Sequence, residues 1–316
     1  MPQQRVLFVK LSSLGDVVHH MPAVTDLARA RPGVHIAWAV EEAYAGLVKL
    51  HPAVEEAFPV SLRALAKRPL SPAGWARMGA TRRSLREGRW DFVVDTQGLL
   101  KSAIVARFAR AASFGLDKRS ARERSASRFY DVKLAVPRAM HAVERNRRLV
   151  AQVFGYAADG PADYGLSPPA PPPAWAPPAP YTVLLHAASR AQKRWPEEHW
   201  VALGREACEA GLEVVLPGGT VDERTAAERI AKQLPRAMAA PAMNLDEAAA
   251  LLAHARCVAG VDTGLTHLAA ALGVPTVGIY GATRPELTGL HAANAVNVGG
   301  AGRVASVEEV LTAFNA

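Results

Sequence analysis

Fourteen residues near the middle of the chain decide how the rest can be divided. From Ser167 to Pro180, eight of the fourteen positions are proline. Proline lacks a backbone N–H and fixes φ, so a stretch this dense cannot form a helix interior or a central strand. It is predicted to be an extended, semi-rigid linker. That leaves residues 1–166 and 181–316, each of ordinary domain size. A chain of 316 residues can bury sizeable cores without crosslinks. The two cysteines, Cys208 and Cys257, form no C-x-x-C pair, which argues against a disulfide framework or a thiolate zinc site. A reduced, cytoplasmic setting is the simplest reading. The apolar run Val6-Leu7-Phe8-Val9 is too short for a signal core. No run approaches a membrane span.

Each part opens with a short apolar run that reads as a buried strand. In the first, Arg5–Lys10 precedes a loop and a helix over 17–31, stopped by Pro32-Gly33. Strands are expected at 35–40 and 92–95, with a helix over 99–110. In the second, 181–186, 213–216, 257–261 and 275–280 read as strands, with helices over 197–210 and 264–272. The last helix, 306–314, could pack on either domain. Strands alternating with helices predict parallel sheets with right-handed crossovers. The expected fold is α/β, with two Rossmann-like doubly wound domains facing a central cleft. Ligands of such sheets bind outside the carboxyl ends of the strands.

The formal charge is +8 and unevenly placed. Residues 61–90 hold eight Lys/Arg against one acid, and 101–133 hold nine against three, together +13. The rest of the chain is therefore about −5 by subtraction (8 − 13). A basic N-terminal part suits a polyanion, whether nucleic acid, an acidic lipid surface or a phosphorylated substrate, though charge runs are also ordinary solvated faces. With 6% aromatics and no nucleic-acid module, a nucleic-acid partner is the weakest of these.

Two nucleotide signatures are absent: there is no G-x-x-x-x-G-K-[ST] loop, and no G-x-G-x-x-G follows the first strand. What remains lies in strand-to-helix loops. In Ser12-Ser13-Leu14-Gly15-Asp16 the small residues admit a ligand close to the backbone. Asp16 falls at or near the helix N-cap; the spacing favours a cap, and a carboxylate fixed there can also accept a proton. In Asp262-Thr263-Gly264-Leu265-Thr266-His267, backbone N–H groups at a helix start offer a phosphate site. The alternative is capping by Asp262 or Thr263, and His267 alone reads as a core or capping histidine. Lys193 could neutralise a departing phosphate, or be a surface lysine. Glu223, after Pro217-Gly218-Gly219, could hold ribose hydroxyls, or simply complement a helix dipole.

Five segments in order resemble the type I lipopolysaccharide heptosyltransferases of glycosyltransferase family 9. They are Val9–His19, Asp95–Ser102, His141–Arg145, Lys193–Trp200 and Val261–Leu272. The resemblance covers essentially the whole chain. It implies a GT-B fold and transfer of L-glycero-D-manno-heptose from ADP-heptose to Kdo of Kdo2-lipid A, with inversion and no metal or other cofactor. It implies a peripheral enzyme on the cytoplasmic face of the inner membrane, meeting an anionic membrane surface and no nucleic acid. By the same resemblance Asp16 is the general base and Lys193 holds the diphosphate. Thr263, Gly264 and Leu265 bind phosphate, Glu223 binds ribose, Met243 lies near adenine and Asp262 touches the heptose. Ala188, Ser189 and His267 fall at donor positions. Ser12, Ser13, Gly15, Arg63, Lys67 and Arg122 fall on the acceptor side. Leu11 and Ala188 stand where the family commonly has threonine. The rivals are a type II-like enzyme acting on an already heptosylated core, and a basic nucleic-acid-binding protein.

Overall fold

The computed structural model describes residues 3–168 and 171–314. The chain divides into two compact units, Met1–Ser167 and Pro168–Ala316. Of the proline-rich segment, Pro169 and Ala170 lie outside the described residues. The remainder is not one extended run, because the Ala176 N–H donates to the Pro173 carbonyl and closes a turn.

The first unit carries six strands: β1 (Arg5–Val9), β2 (His35–Glu41), β3 (Val54–Val60), β4 (Phe92–Asp95), β5 (Ser113–Leu116) and β6 (Val132–Leu134). They form one parallel sheet in the order β3-β2-β1-β4-β5-β6. The second unit carries β7 (Tyr181–Leu185), β8 (Glu213–Leu216), β9 (Ala237–Ala239), β10 (Cys257–Val261), β11 (Thr276–Tyr280) and β12 (Ala295–Gly299). Its order, β12-β11-β10-β7-β8-β9, is the same arrangement read from the other edge, and all pairs are again parallel. Both are the doubly wound order whose direction reverses beside the first strand. Strands β2, β7 and β11 are buried along their whole length, and β1, β4 and β10 at all but their first residue, as helices on both faces require. Pro59 is tolerated because β3 is an edge strand.

One further expectation needs correction, and one helix that the sequence left open is placed in its own unit. The helix read over 17–31 is two helices, Leu14–Val18 and Met21–Ala30, broken at His19-His20. Pro22 has no N–H to extend the first helix, but suits the opening turn of the second. The last helix, Val307–Phe314, lies on β11, β12 and the helix Glu197–Glu209 of its own unit. Val307, Val310, Leu311 and Phe314 join that unit's core, which leaves no apolar face to place elsewhere. Among the described residues no helix is long and apolar enough to cross a membrane.

Candidate active site

In each sheet the reversal point lies between the first and fourth strands of its unit, where diverging loops leave room for a ligand. In the first unit those loops follow β1 and β4. Gly115 on β5 is the deepest support, since a Cβ there would meet the Tyr130 ring at 2.4 Å. The ring fits only over glycine, and its hydroxyl donates to Asp95 Oδ2 at 2.7 Å. Burial pushes the Asp95 carboxyl up and the Tyr130 phenol up as well. Asp95 Oδ1 accepts the N–H groups of Gln97 (2.8 Å) and Gly98 (3.2 Å), which sets the turn after β4. Gln97 then clamps the loop after β1: its Oε1 accepts the Leu11 N–H at 2.7 Å, and its Nε2 donates to the Ser12 carbonyl. Lys101 donates to Ser12 Oγ at 3.2 Å.

That clamp fixes Ser13 at the head of the helix Leu14–Val18. Asp16 is therefore not the cap residue; Ser13 is, and Asp16 stands at the third helical position. Its Oδ2 accepts the Ser13 N–H at 3.0 Å, the returning half of a capping box. Arg122, from the loop after β5, reaches the same oxygen at 3.2 Å. Burial raises the Asp16 carboxyl, but Lys10, Arg122 and the Ser13 N–H outweigh it and hold it below the usual carboxylate range. Lys10 lies beneath, buried, donating to the Thr96 carbonyl (3.0 Å) and Asn146 Oδ1 (3.2 Å). Burial pushes its ammonium down to about 8, against the pull of Asp16 and Asp95. The result is a partly exposed carboxylate, ionised at neutral pH and aimed from the carboxyl end of the sheet. Gly15 belongs to the same turn.

Arg63 and Lys67 are not drawn to Asp16. They sit in the helix Leu62–Lys67 that follows β3, two strands from β1. The Arg63 N–H is anchored on Glu41 at 3.0 Å, and its guanidinium bonds the Tyr44 hydroxyl at 2.9 Å. Leu11, in place of a hydroxyl residue, is fully buried in the first core. Its backbone contacts survive, because the N–H reaches Gln97 and the carbonyl accepts from Glu41 at 3.1 Å.

In the second unit the loops after β7 and β10 bring Lys193 and Asp262 together. Lys193 Nζ lies 2.6 Å from Asp262 Oδ2, with the Asp262 carbonyl also in reach at 3.2 Å. Thr283, from the loop after β11, donates to the same Oδ2 at 2.7 Å, and His267 Nε2 stands 3.4 Å from Oδ1. Burial raises the Asp262 carboxyl, but hydrogen bonds from His267, Lys193 and Thr283 overwhelm it and hold it far below the usual range. Asp262 is thus committed to three side chains and does not cap the next helix. Nor does Thr263, whose hydroxyl turns to Thr266 Oγ1 at 3.1 Å. The helix Gly264–Ala271 begins without a side-chain cap. Its first N–H groups, in half-buried Gly264 and Leu265, are left without a side-chain cap and can donate to an anion. The capping alternative for this loop is removed by the structure.

Beside it, a pocket of about 640 Å³ is lined by Ala188, Ser189, Glu223 and others, including His186, Arg194, Trp195 and Thr225. Glu223 is the third residue of the helix Val221–Ala231, and its Oε2 accepts the N–H groups of Gly219 and Thr220, each at 2.9 Å. Gly218 is required there, since a Cβ would lie 2.6 Å from the Arg224 nitrogen. Ala188 packs into the second core, where a hydroxyl would need a partner. Met243 lies half-buried on the segment after β9 and does not line this pocket, nor do Lys193 and Gly264. Every donor-side residue read from the sequence nevertheless follows the carboxyl end of a strand of one sheet. Sequence reading missed Gln97, Lys10 and Thr283 as positioning groups. Only the D-x-Q-G turn signal after β4 pointed to the first of them.

Among the described residues no cluster of three or more His, Cys, Asp or Glu is arranged to hold a metal ion.

A family model described as glycosyltransferase family 9 (heptosyltransferase) matches residues 78–311. The chain is 44% identical over 300 residues to lipopolysaccharide heptosyltransferase 1 of Pseudomonas aeruginosa, covering 93% of this chain and 83% of that one. The structure of E. coli heptosyltransferase WaaC with ADP superposes with a TM-score of 0.89 at 37% identity, covering 98% of both chains. By contrast, lipopolysaccharide heptosyltransferase 2 of E. coli is 35% identical over only 30% of this chain and 29% of its own length.

Proposed function

This chain belongs to glycosyltransferase family 9, the heptosyltransferases, and from that premise we propose that it transfers L-glycero-D-manno-heptose from ADP-heptose to a Kdo hydroxyl of Kdo2-lipid A, with inversion, in building the lipopolysaccharide inner core. Near-full-length sequence likeness to a type 1 relative supports this over the type II rival, whose sequence match spans under a third of the chain and whose E. coli structure, at 23% identity over 99% of the chain, shares the fold alone. One observation carries the reading: the Lys193 ammonium and an uncapped helix start at Gly264 lie at the reversal point of one doubly wound sheet.

In this reading the diphosphate takes the N–H groups of Thr263, Gly264 and Leu265 and shares Lys193 with Asp262. Glu223 meets the ribose, Met243 the adenine, and Asp262 the heptose, with Ala188, Ser189 and His267 around them. The acceptor hydroxyl attacks the anomeric carbon opposite the diphosphate through an oxocarbenium-like transition state. Its proton passes to Asp16, while the bond to ADP breaks and its electron pair goes to the terminal phosphate oxygen. Lys193 and the helix dipole stabilise the charge that develops there. The reaction as read uses no metal or cofactor. Arg63, Lys67 and Arg122, with Ser12, Ser13 and Gly15, receive the anionic acceptor. Its lipid anchor places the enzyme, as a peripheral protein, on the cytoplasmic face of the inner membrane.

Purified protein with ADP-heptose should heptosylate Kdo2-lipid A and leave the same acceptor already bearing heptose untouched. NMR of the product should show the anomeric configuration opposite to that of the donor. Preference for the heptosylated acceptor would install the type II reading, and DNA binding indifferent to ADP would favour the nucleic-acid reading.

A further inference from the structure

Of the five large apolar side chains exposed among the described residues of the first unit, four lie on or just before two helices that pack on each other, Pro72–Glu87 and Leu100–Phe108, and the fifth is Val132. Leu70, in the turn between the helices Leu62–Lys67 and Pro72–Glu87, is 92% exposed, and Trp75, on the first turn of the second helix, is 58% exposed. The Trp75 indole N–H already donates to the Pro69 carbonyl at 2.8 Å. What the ring offers to solvent is therefore hydrocarbon. On the helix Leu100–Phe108, Leu100 (37%) and Ile104 (41%) are exposed one turn apart.

These positions are cationic as well as apolar. Trp75, Gly79, Arg82 and Arg86 recur at helical spacing along one stripe of Pro72–Glu87, which flanks the buried stripe of Gly74, Met78 and Leu85. That helix carries four arginines and one acid. Arg82 joins the two helices: its guanidinium lies 5.8 Å over the Phe108 ring. It lines one hollow with Ile104 and Phe108 and a second with Arg83 and Arg86. Neither hollow is part of the site described above.

We propose that this face, Leu70 and Trp75 with Leu100 and Ile104, bordered by Arg82 and Arg86, is the surface by which the protein docks on an anionic lipid bilayer. An exposed apolar patch rimmed by charge marks an interaction site. Indole and leucine side chains beside arginines match the interface between acyl chains and anionic headgroups; of the acids nearby, Glu123 is taken up by the Leu100 N–H and Asp131 by Arg107, and Glu87 lies beside Arg83 and Arg86. A protein partner of opposite charge would complement the arginines but not the hydrocarbon between them. The proposal rests on the lipid-linked acceptor above only for its setting, and names the face that would meet the lipid.

The test uses the intact protein and vesicles. Wild type should sediment with phosphatidylglycerol–phosphatidylethanolamine vesicles, weakly with phosphatidylcholine, and progressively less as salt rises. Arg82→Gln with Arg86→Gln should lower partitioning about 25-fold, about fivefold per cation near the surface. Leu70→Ser with Trp75→Ser should lower it about tenfold or more. Both double variants should heptosylate a deacylated, water-soluble Kdo acceptor at the wild-type rate. Vesicle binding unchanged in either variant overturns the proposal. So does loss of transfer to the soluble acceptor, which would place these residues in acceptor recognition, and so does a concentration-dependent dimer that covers Trp75. If wild type fails on the soluble acceptor but binds vesicles as described, it is the proposed reaction that fails and not the docking face.

Discussion

Asp16→Asn separates two roles that the sequence alone leaves together. As a capping group, Asp16 contributes through the Ser13 N–H and through Arg122. Asparagine keeps an acceptor oxygen for Ser13. It loses the pair with Arg122, in which the two side chains are 51% and 25% exposed, and an exposed pair is worth about 0–1 kcal/mol. It also loses a charge on the first helical turn, worth about 0.5 kcal/mol. The stability cost is thus about 1 kcal/mol, a fall in Tm of about 2–4 °C. As a general base, its loss costs about 10²–10⁴ in rate, or about 3–5 kcal/mol of barrier. The two effects differ enough to be told apart in one protein. Initial rates at saturating ADP-heptose, melting curves and ADP binding by calorimetry would be measured side by side. The expected result is a near-wild-type melt, unchanged ADP affinity and at least a hundredfold slower transfer. A folded variant retaining more than a tenth of the wild-type rate would reduce Asp16 to the returning half of the Ser13 capping box.

The pH dependence follows from the same carboxylate. In the proposed role of base Asp16 acts ionised, and its depressed carboxyl keeps it so as pH falls until that low value is crossed; Arg122→Gln removes part of the depression and should move the acid limb of the pH–rate profile upward. Lys193→Ala removes the ammonium that faces Asp262 and should weaken ADP binding roughly 10- to 150-fold, read by calorimetry, since a charge-assisted hydrogen bond is worth about 1.5–3 kcal/mol. Gly260→Ala would set a Cβ 2.4 Å from Thr266 Oγ1 and 2.9 Å from Leu185 Cβ, and should destabilise the protein by about 1–3 kcal/mol in chemical denaturation. Buried His51 is neutral when folded, its pKa pushed down by burial to about 4. Its unfolded form takes a proton below about 6.5, so its stability contribution is full above that pH. Between there and about 4 it should be lost at about 1.4 kcal/mol per pH unit, and His51→Asn should flatten that slope in melts taken across the window.

How much of this was legible beforehand depends on the range of the interaction. The strands Phe92–Asp95, Glu213–Leu216 and Cys257–Val261 have the bounds their apolar runs predicted, because a doubly covered parallel strand needs only its own hydrophobic run. The same alternation put the candidate residues after strands, where such sheets bind ligands. Strands β3, β5, β6, β9 and β12 were not picked out: β5 and β9 are only four and three residues long, and β3, β6 and β12 carry exposed positions that break an apolar run. The break at His19-His20 carried a signal in Pro22, which the run of helix formers around it masked.

The side-chain pairings were not legible. Lys193 meets Asp262 across 69 residues, and Gln97 reaches Ser12 across 85. Neither distance is encoded by spacing along the chain; both exist because the doubly wound order sets the first and fourth strands of each unit side by side. Residue identity therefore determined which loops could carry chemistry. Only the tertiary structure decided that Asp262 and Thr263 leave the helix at Gly264 uncapped, and that Asp16 is ionised and partnered by Arg122, because a carboxylate's charge state and a helix start's free N–H groups depend on what the fold packs against them.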